Sequence, residues 1–163
     1  MIDVSGAPRG SLYHHFPGGK NQLVAEAVRR SAELGAERIE MLGATAQGPR
    51  EVVDRFIVEF EESLTLSDFA DGCPIATVAL ETAGTPGATT DAVAAAFDSW
   101  IRAFSALLEA DGHGHRIAID LATDVLTHVE GAILLSKGLR SIRPLELARR
   151  TIDRLFDLNG VGT

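Results

Sequence analysis

Apolar side chains recur along this chain every three or four residues, the period of helices with one buried face. Between Lys20 and Leu42 they fall at Leu23, Val24, Ala27, Val28, Leu34, Ile39 and Leu42, which predicts one long amphipathic helix. Gly43, Gly48 and Pro49 end it and open the next element. Val52, Val53, Phe56, Ile57, Phe60 and Leu64 predict a second helix. Pro74 suits the first turn of a third, which runs to about Thr82 and stops at "AGTPGATT". Val93, Ala96, Phe97, Trp100, Ile101, Phe104, Leu107 and Leu108 mark the strongest helix, broken by "ADGHGH". Two more are predicted, from about Arg116 to Leu139 and from Pro144 to Leu158. No convincing period-2 run or hairpin signal interrupts them. The expectation is an all-α chain of packed, antiparallel helices joined by short connections.

The helix at 116–139 carries two apolar stripes. Ile119, Ala122, Leu126, Val129 and Ile133 are spaced 3, 4, 3, 4, like a coiled-coil seam. Leu121, Val125, Ala132 and Leu135 form the other. A helix that is apolar on two sides is buried on two sides. The last helix has a matching seam at Leu145, Ala148, Ile152 and Leu155. A four-helix interface between two copies of the chain is therefore expected at these nine positions. The alternative is that both stripes lie inside one chain.

Composition narrows the class. The 163 residues are 45% hydrophobic and 23% charged, enough for one ordinary domain with a core and unlike a disordered chain. No apolar run approaches a membrane span, no secretory leader is visible, and the lone Cys73 excludes an internal disulfide, so a cytoplasmic location is expected. Net charge is −8, unevenly spread. Residues 1–50 hold six Lys/Arg against five Asp/Glu, and residues 51–163 hold nine against eighteen. An acidic body keeps DNA away except where a local donor-rich surface docks.

That surface lies in "SGAPRGSLYHHFPGGKNQLVAEAV", residues 5–28. Pro8 begins a short helix of about two turns that "FPGG" ends, and Lys20 sits near the start of the next helix. Leu12 and Phe16, four apart, can anchor the short helix to a core. Its exposed face carries Arg9, Ser11, Tyr13, His14 and His15, with Lys20 beside it. Arg forks to guanine, Ser serves base or phosphate, and Tyr and His commonly reach phosphates. A Lys at a helix N-terminus adds charge where backbone N–H groups also favour phosphate.

This stretch resembles the recognition helix and following turn of TetR/AcrR-type transcriptional regulators. Gly6, Gly10, Ser11, Leu12, Tyr13, His15, Phe16, Lys20 and Leu23 match the family pattern. Pro8, one extra residue before Lys20, and "GCPIATVALE" at 72–81 resemble the LmrA/YxaF-type branch. The resemblance implies a homodimeric repressor that binds a palindromic double-stranded DNA operator and is released by a small hydrophobic effector. It implies that Tyr13, His15 and Lys20 hold phosphates and that Arg9, Ser11 and His14 lie nearer base edges. It divides the chain into a partial helix-turn-helix head with its connecting helix (1–43) and a ligand-binding and dimerisation bundle (44–163). The family head begins with two helices before the turn, and "MIDVS" is all that precedes Gly6 here. The expectation is a truncated head with weak or absent DNA affinity, or a DNA-silent ligand-binding and dimerisation fragment.

The remaining candidates are weaker. Adjacent histidines on a helix diverge, so Tyr13-His14-His15 is a poor chelator, and His113 and His115 at a loop tip lack partner ligands. Cys73 reads as a small buried residue, because a redox sensor needs a lowered pKa. His128 falls on an apolar stripe, where a satisfied core histidine is the ordinary reading. With Phe97, Trp100 and Phe104 it could also line an aromatic effector cavity. No catalytic or cofactor-binding motif is present, so an enzyme is not expected and no cofactor is assigned.

Overall fold

The computed structural model describes residues 14–160 and contains six complete helices and no strand among them. They are α1 (Gly19–Gly43), α2 (Pro49–Leu66), α3 (Pro74–Thr82), α4 (Ala88–Ala110), α5 (His115–Leu139) and α6 (Arg143–Asn159). Each matches a periodic segment of the sequence to within a few residues. The boundaries follow local chemistry. Pro49 and Pro74 occupy first turns, where a missing N–H is harmless. Glu51 accepts from the Gln47 N–H at 2.7 Å and so ties the preceding loop to the first turn of α2. The Cys73 sulfur accepts weakly from the Ala76 N–H and caps α3.

The connections do not all produce antiparallel neighbours. α1 and α4 run parallel along one another, with α2 and α3 making the crossover between them. Thr89 donates to the Asn21 carbonyl, the Trp100 indole N–H donates to the Ala32 carbonyl at 2.9 Å, and Leu107 meets Gly43. The order of contacts is the same on both helices. The approach is close because α1 presents no side chain at Gly35 and Gly43. A Cβ at Gly35 would run into Trp100 Cε2 and Cζ2 and stand 2.5 Å from Nε1. A Cβ at Gly43 would stand 2.5 Å from Leu107 Cδ2. Glycine in a helix interior costs about 1 kcal/mol relative to alanine. Here that cost is offset by a buried indole with its N–H satisfied.

Trp100 and Phe104 continue into an aromatic cluster. Phe56 of α2 meets both rings edge to face, at centroid distances of 6.3 Å and 5.5 Å. Such geometry aligns ring edges with ring faces and adds about 0.5–1.5 kcal/mol per pair beyond area burial. α5 lies inside the body, packed against α4, α6 and α2. Most of its two stripes is therefore covered by its own chain, Ile119 and Leu135 being the exceptions. Ala122, Leu126, Val129 and Ile133 of α5, and Leu145, Ala148 and Ile152 of α6, are buried, none more than 7% exposed. Leu155 is partly buried against the same core, and Ile119 is at the edge, 37% exposed. The 3-4 seam expected between two chains is the α5–α6 seam of one chain. The short α5–α6 connection explains this, since it folds α6 directly back onto that stripe. Leu134, Leu135 and Leu139 of α5 and Leu147 and Leu158 of α6 remain exposed.

Ion pairs fasten the periphery. Arg149 of α6 reaches Asp54 and Glu61 of α2, at 3.0 and 2.9 Å. Arg50 of α2 reaches Asp153 and Asp157 of α6 and lies 5.3 Å from the Phe156 ring centroid. The α2–α3 loop turns through left-handed Asp68 and Phe69, an uncommon conformation for residues with side chains. Lys137 of α5 and Arg140, the residue that caps it, hold that loop through the Ala70 carbonyl at 2.6 Å and the Asp68 carbonyl at 3.2 Å.

The Gly35–Trp100 contact makes a double-mutant prediction. Gly35→Ala gains helix propensity but overpacks the seam, so net stability falls by about 1–3 kcal/mol in denaturant unfolding. Trp100→Phe removes the ring atoms that the new methyl strikes. In the Trp100→Phe background, Gly35→Ala is neutral or stabilising.

Candidate functional site

Two regions carry unspent chemistry. The first is the end of the molecule where α1 begins. His14 and His15 are helical and exposed, their rings edge to face at 5.1 Å. The turn after them is fixed by the Gly19 N–H donating to the Phe16 carbonyl at 2.7 Å. Gln22 accepts from the Gly18 N–H and donates to Glu26, both at 2.8 Å, so the turn is stitched to the first coils of α1. Lys20 is exposed in the first turn of α1. The three side chains His14, His15 and Lys20 thus share one end of the body. Arg9, Ser11 and Tyr13 lie outside the described residues.

The second region is a cleft of about 260 Å³ between α3, α4 and α5. One wall is Cys73, Ala76, Thr77, Ala79 and Leu80, and the other is Glu130, Gly131, Ile133, Leu134 and Lys137, with Phe97 of α4 at the base. Most of this lining is apolar, and Leu80 and Leu134 stand exposed at its rim. Such a hollow with a few polar groups is the general form of a small-molecule site.

Of the four residues expected to line a cavity, only Phe97 does so. Trp100 and Phe104 are core residues, 4% and 2% exposed, occupied by the α1 contact and by Phe56. His128 sits at the edge of the buried face of α5, its Nδ1 2.8 Å from the Asp124 carbonyl one turn back in the same helix. The buried face is set by Val125, Leu126, Val129 and Ala132, and His128 falls just beside it.

The polar centre of the cleft is a residue the sequence reading passed over. Both Glu130 carboxylate oxygens are buried, and among the described residues neither has a partner of ordinary hydrogen-bond geometry. Burial raises the Glu130 pKa above its usual 4.5, an effect only partly offset by the adjacent Cys73 thiol. Burial, followed by the neighbouring Glu130 charge, pushes Cys73 up to about 12. A thiol so disposed is a poor nucleophile at neutral pH. Lys137, the other charged group of the cleft, donates to Ala70. A signal for the cleft did exist in the sequence: "GCPIATVALE" supplies its entire α3 wall.

A second hollow, between the start of α2 and the end of α6, is lined by Gly48, Arg50, Asp111, His113 and Phe156. Its cation is already paired with Asp153 and Asp157. The buried His113 Nδ1 is 3.1 Å from the Leu108 carbonyl, while exposed His115 turns to Glu109 at 2.7 Å. The two histidines diverge, His113 lying in the α4–α5 connection and His115 opening α5.

Residues 49–151 match the family model of the LmrA/YxaF-like transcriptional regulator C-terminal domain. This chain belongs to the TetR family of transcriptional regulators. An HTH-type transcriptional regulator of Mycobacterium tuberculosis, Rv0196, is 37% identical over 161 residues, covering 96% of this chain and 81% of that protein. The HTH-type transcriptional regulator LmrA of Bacillus subtilis is 32% identical, covering 89% of this chain and 77% of that protein. The solved structure of a TetR regulatory protein from Rhodobacter sphaeroides superposes with a TM-score of 0.83 at 22% identity, covering 94% of this chain and 84% of that one. Among the described residues, no helix is long and apolar enough to cross a membrane.

The buried carboxylate gives a pH prediction with a definite sign. A raised folded-state pKa means that the folded protein holds the Glu130 proton more tightly than the unfolded chain. Stability from this group is lost as pH rises above about 4.5, the unfolded value. Glu130→Gln therefore raises Tm at pH 8, and the gain shrinks toward pH 4. A gain independent of pH, or a loss at pH 8, in thermal unfolding contradicts the assignment.

Proposed function

We propose that this TetR-family chain is a ligand-responsive repressor: a homodimer that holds a palindromic operator and releases it when a small molecule enters the cleft between α3, α4 and α5. The observation that carries this reading is the continuous path from cleft to DNA-facing end. Phe97 at the cleft base packs against Trp100 at 6.4 Å and 90°. Trp100 in turn is hydrogen-bonded to Ala32 and seated on Gly35 of α1. α1 carries Lys20 in its first turn and is stitched to the turn after His14 and His15. A ligand that displaces Phe97 pushes on α4 at the point where α4 grips α1. Two heads must meet successive major grooves roughly 34–36 Å apart, so a small tilt of α1 in each protomer is enough to break register.

In this reading residues 1–43 serve DNA and transmission, and 44–163 serve ligand binding and dimerisation. Lys20 and His15 contact phosphates, with Arg9, Ser11 and His14 nearer base edges and Tyr13 on the backbone. The dimer forms through the outward faces of α5 and α6, where Leu134, Leu135, Leu139, Leu147 and Leu158 are exposed. An exposed leucine face of this kind is covered most simply by its own copy across a two-fold axis. The buried Ala122, Leu126, Val129, Ile133, Leu145, Ala148 and Ile152 support that interface from beneath.

Two measurements test this. Operator fragments selected from genomic DNA are assayed by gel shift over a salt series. Lys20→Ala weakens binding to all sequences alike and lowers the salt slope by about 1; an unchanged slope removes Lys20 from the phosphate contacts. Leu135→Glu, in light scattering at micromolar concentration, converts a dimer to a monomer and lowers operator affinity by about tenfold or more, because a charge in an apolar contact costs more than 1.4 kcal/mol. A wild-type monomer, or a variant that stays dimeric, contradicts the proposed interface.

A further inference from the structure

The cleft holds two charged side chains, and their situations differ. Lys137 is committed: its ammonium donates to the Ala70 carbonyl at 2.6 Å and helps hold the α2–α3 loop. Glu130 is uncommitted, both oxygens being buried without a geometrically ordinary partner among the described residues. A buried carboxylate normally has a cation or several donors. Here α4 contributes only Phe97 to the lining, and α3 contributes Cys73 as its one titratable group. We propose that the cleft binds a small amphiphilic amine, whose protonated nitrogen pairs with the Glu130 carboxylate while its apolar body rests on Phe97, Ala76, Leu80 and Ile133.

This deepens the proposed function by naming the ligand class, and it rests on the cleft being the effector site. The size fits a compact molecule, since a hollow of about 260 Å³ lies at or below the small end of ligand pockets. The polarity fits a single cationic point: the Glu130 carboxylate, with only the Cys73 thiol beside it, stands among mostly apolar walls, while the Lys137 ammonium is turned to the Ala70 carbonyl. An alkylammonium supplies up to three N–H donors and a positive charge directly to that carboxylate. It binds the ionised form of Glu130, so binding and deprotonation of Glu130 are coupled. Cys73 stays protonated throughout, its thiol being pushed up to about 12.

The test uses three matched probes on the full chain: 4-phenylbutylamine, 4-phenylbutanol and 4-phenylbutyrate, measured by calorimetry from pH 4.5 to pH 8. The amine binds about tenfold or more tightly than the alcohol at pH 8, the scale of one charge-assisted hydrogen bond. Its advantage grows with pH, because the amine stays charged while Glu130 ionises. The butyrate binds most weakly. In Glu130→Gln, which keeps the shape of the side chain, the amine's advantage and its pH dependence are lost while alcohol binding is kept. Ala76→Trp, which fills the cleft, abolishes binding of all probes. Binding that Ala76→Trp abolishes but that shows no preference for the amine, or a preference that survives Glu130→Gln, overturns the ligand class and leaves the cleft as effector site. Failure of every probe to bind, or binding indifferent to Ala76→Trp, overturns both.

Discussion

The structure depends on the absence of a side chain at Gly35. Because no Cβ stands there, the Trp100 indole can lie flat against the backbone of α1 and donate to the Ala32 carbonyl. That single contact brings two parallel helices to close range, although parallel neighbours in a helical chain must wait for a long crossover. The crossover is α2 and α3. α2 supplies Phe56 to the far side of Trp100, and α3 builds a wall of the cleft. The rest of the fold is arranged around that contact. α5 enters the interior beside α4, and α6 returns along α5 to close the buried seam.

The same contact gives the molecule its directionality. Close-packed interiors transmit displacement because there is little free space to absorb it. Phe97 and Trp100 are one turn apart on α4 and touch edge to face, so a change at the cleft base reaches α1 without passing through a loop. Glu130 sits on the opposite wall, on α5, where the seam with α6 holds the backbone firmly. The α5 wall is therefore anchored, and Phe97 at the base is linked to α1 through Trp100. In the proposed function a ligand grips that wall by charge, presses Phe97 by volume and so acts on α1.

Much of this was legible in the sequence. The 3.6-residue period located all six helices, and prolines 49, 74 and 144 marked their starts. The donor-rich stretch around His14, His15 and Lys20 gave the expectation of a DNA-reading end, and these three side chains are exposed where α1 begins. What the pattern could not resolve was which surface covers each apolar stripe. The seam at Ala122, Leu126, Val129 and Ile133 has coiled-coil spacing whether its partner is α6 of the same chain or a second chain. Leu135 belongs to the second stripe and stays outside all the same, and Leu147 falls on neither seam. The cleft was obscured for a related reason. Large aromatics suggest a cavity, yet Trp100 and Phe104 fill the core completely, and the hollow lies where small residues, Ala76, Ala79 and Gly131, leave space. Nothing in the local pattern marks Glu130, because the α3 residues that share its cleft lie far away in sequence.

The central claim is that cleft occupancy moves α1 through the Gly35–Trp100 seam. Spin labels at Arg29→Cys, an exposed position on α1, measure it directly by pulsed dipolar distance spectroscopy between the protomers of the proposed dimer. The labelling is selective because Cys73 is buried and its thiol is pushed up to about 12. Filling the cleft with Ala76→Trp should shift the distance distribution by several ångströms relative to the empty cleft, and Trp100→Phe should blunt that shift. A distribution unchanged by Ala76→Trp, or a shift as large without the Trp100 indole, would contradict the account.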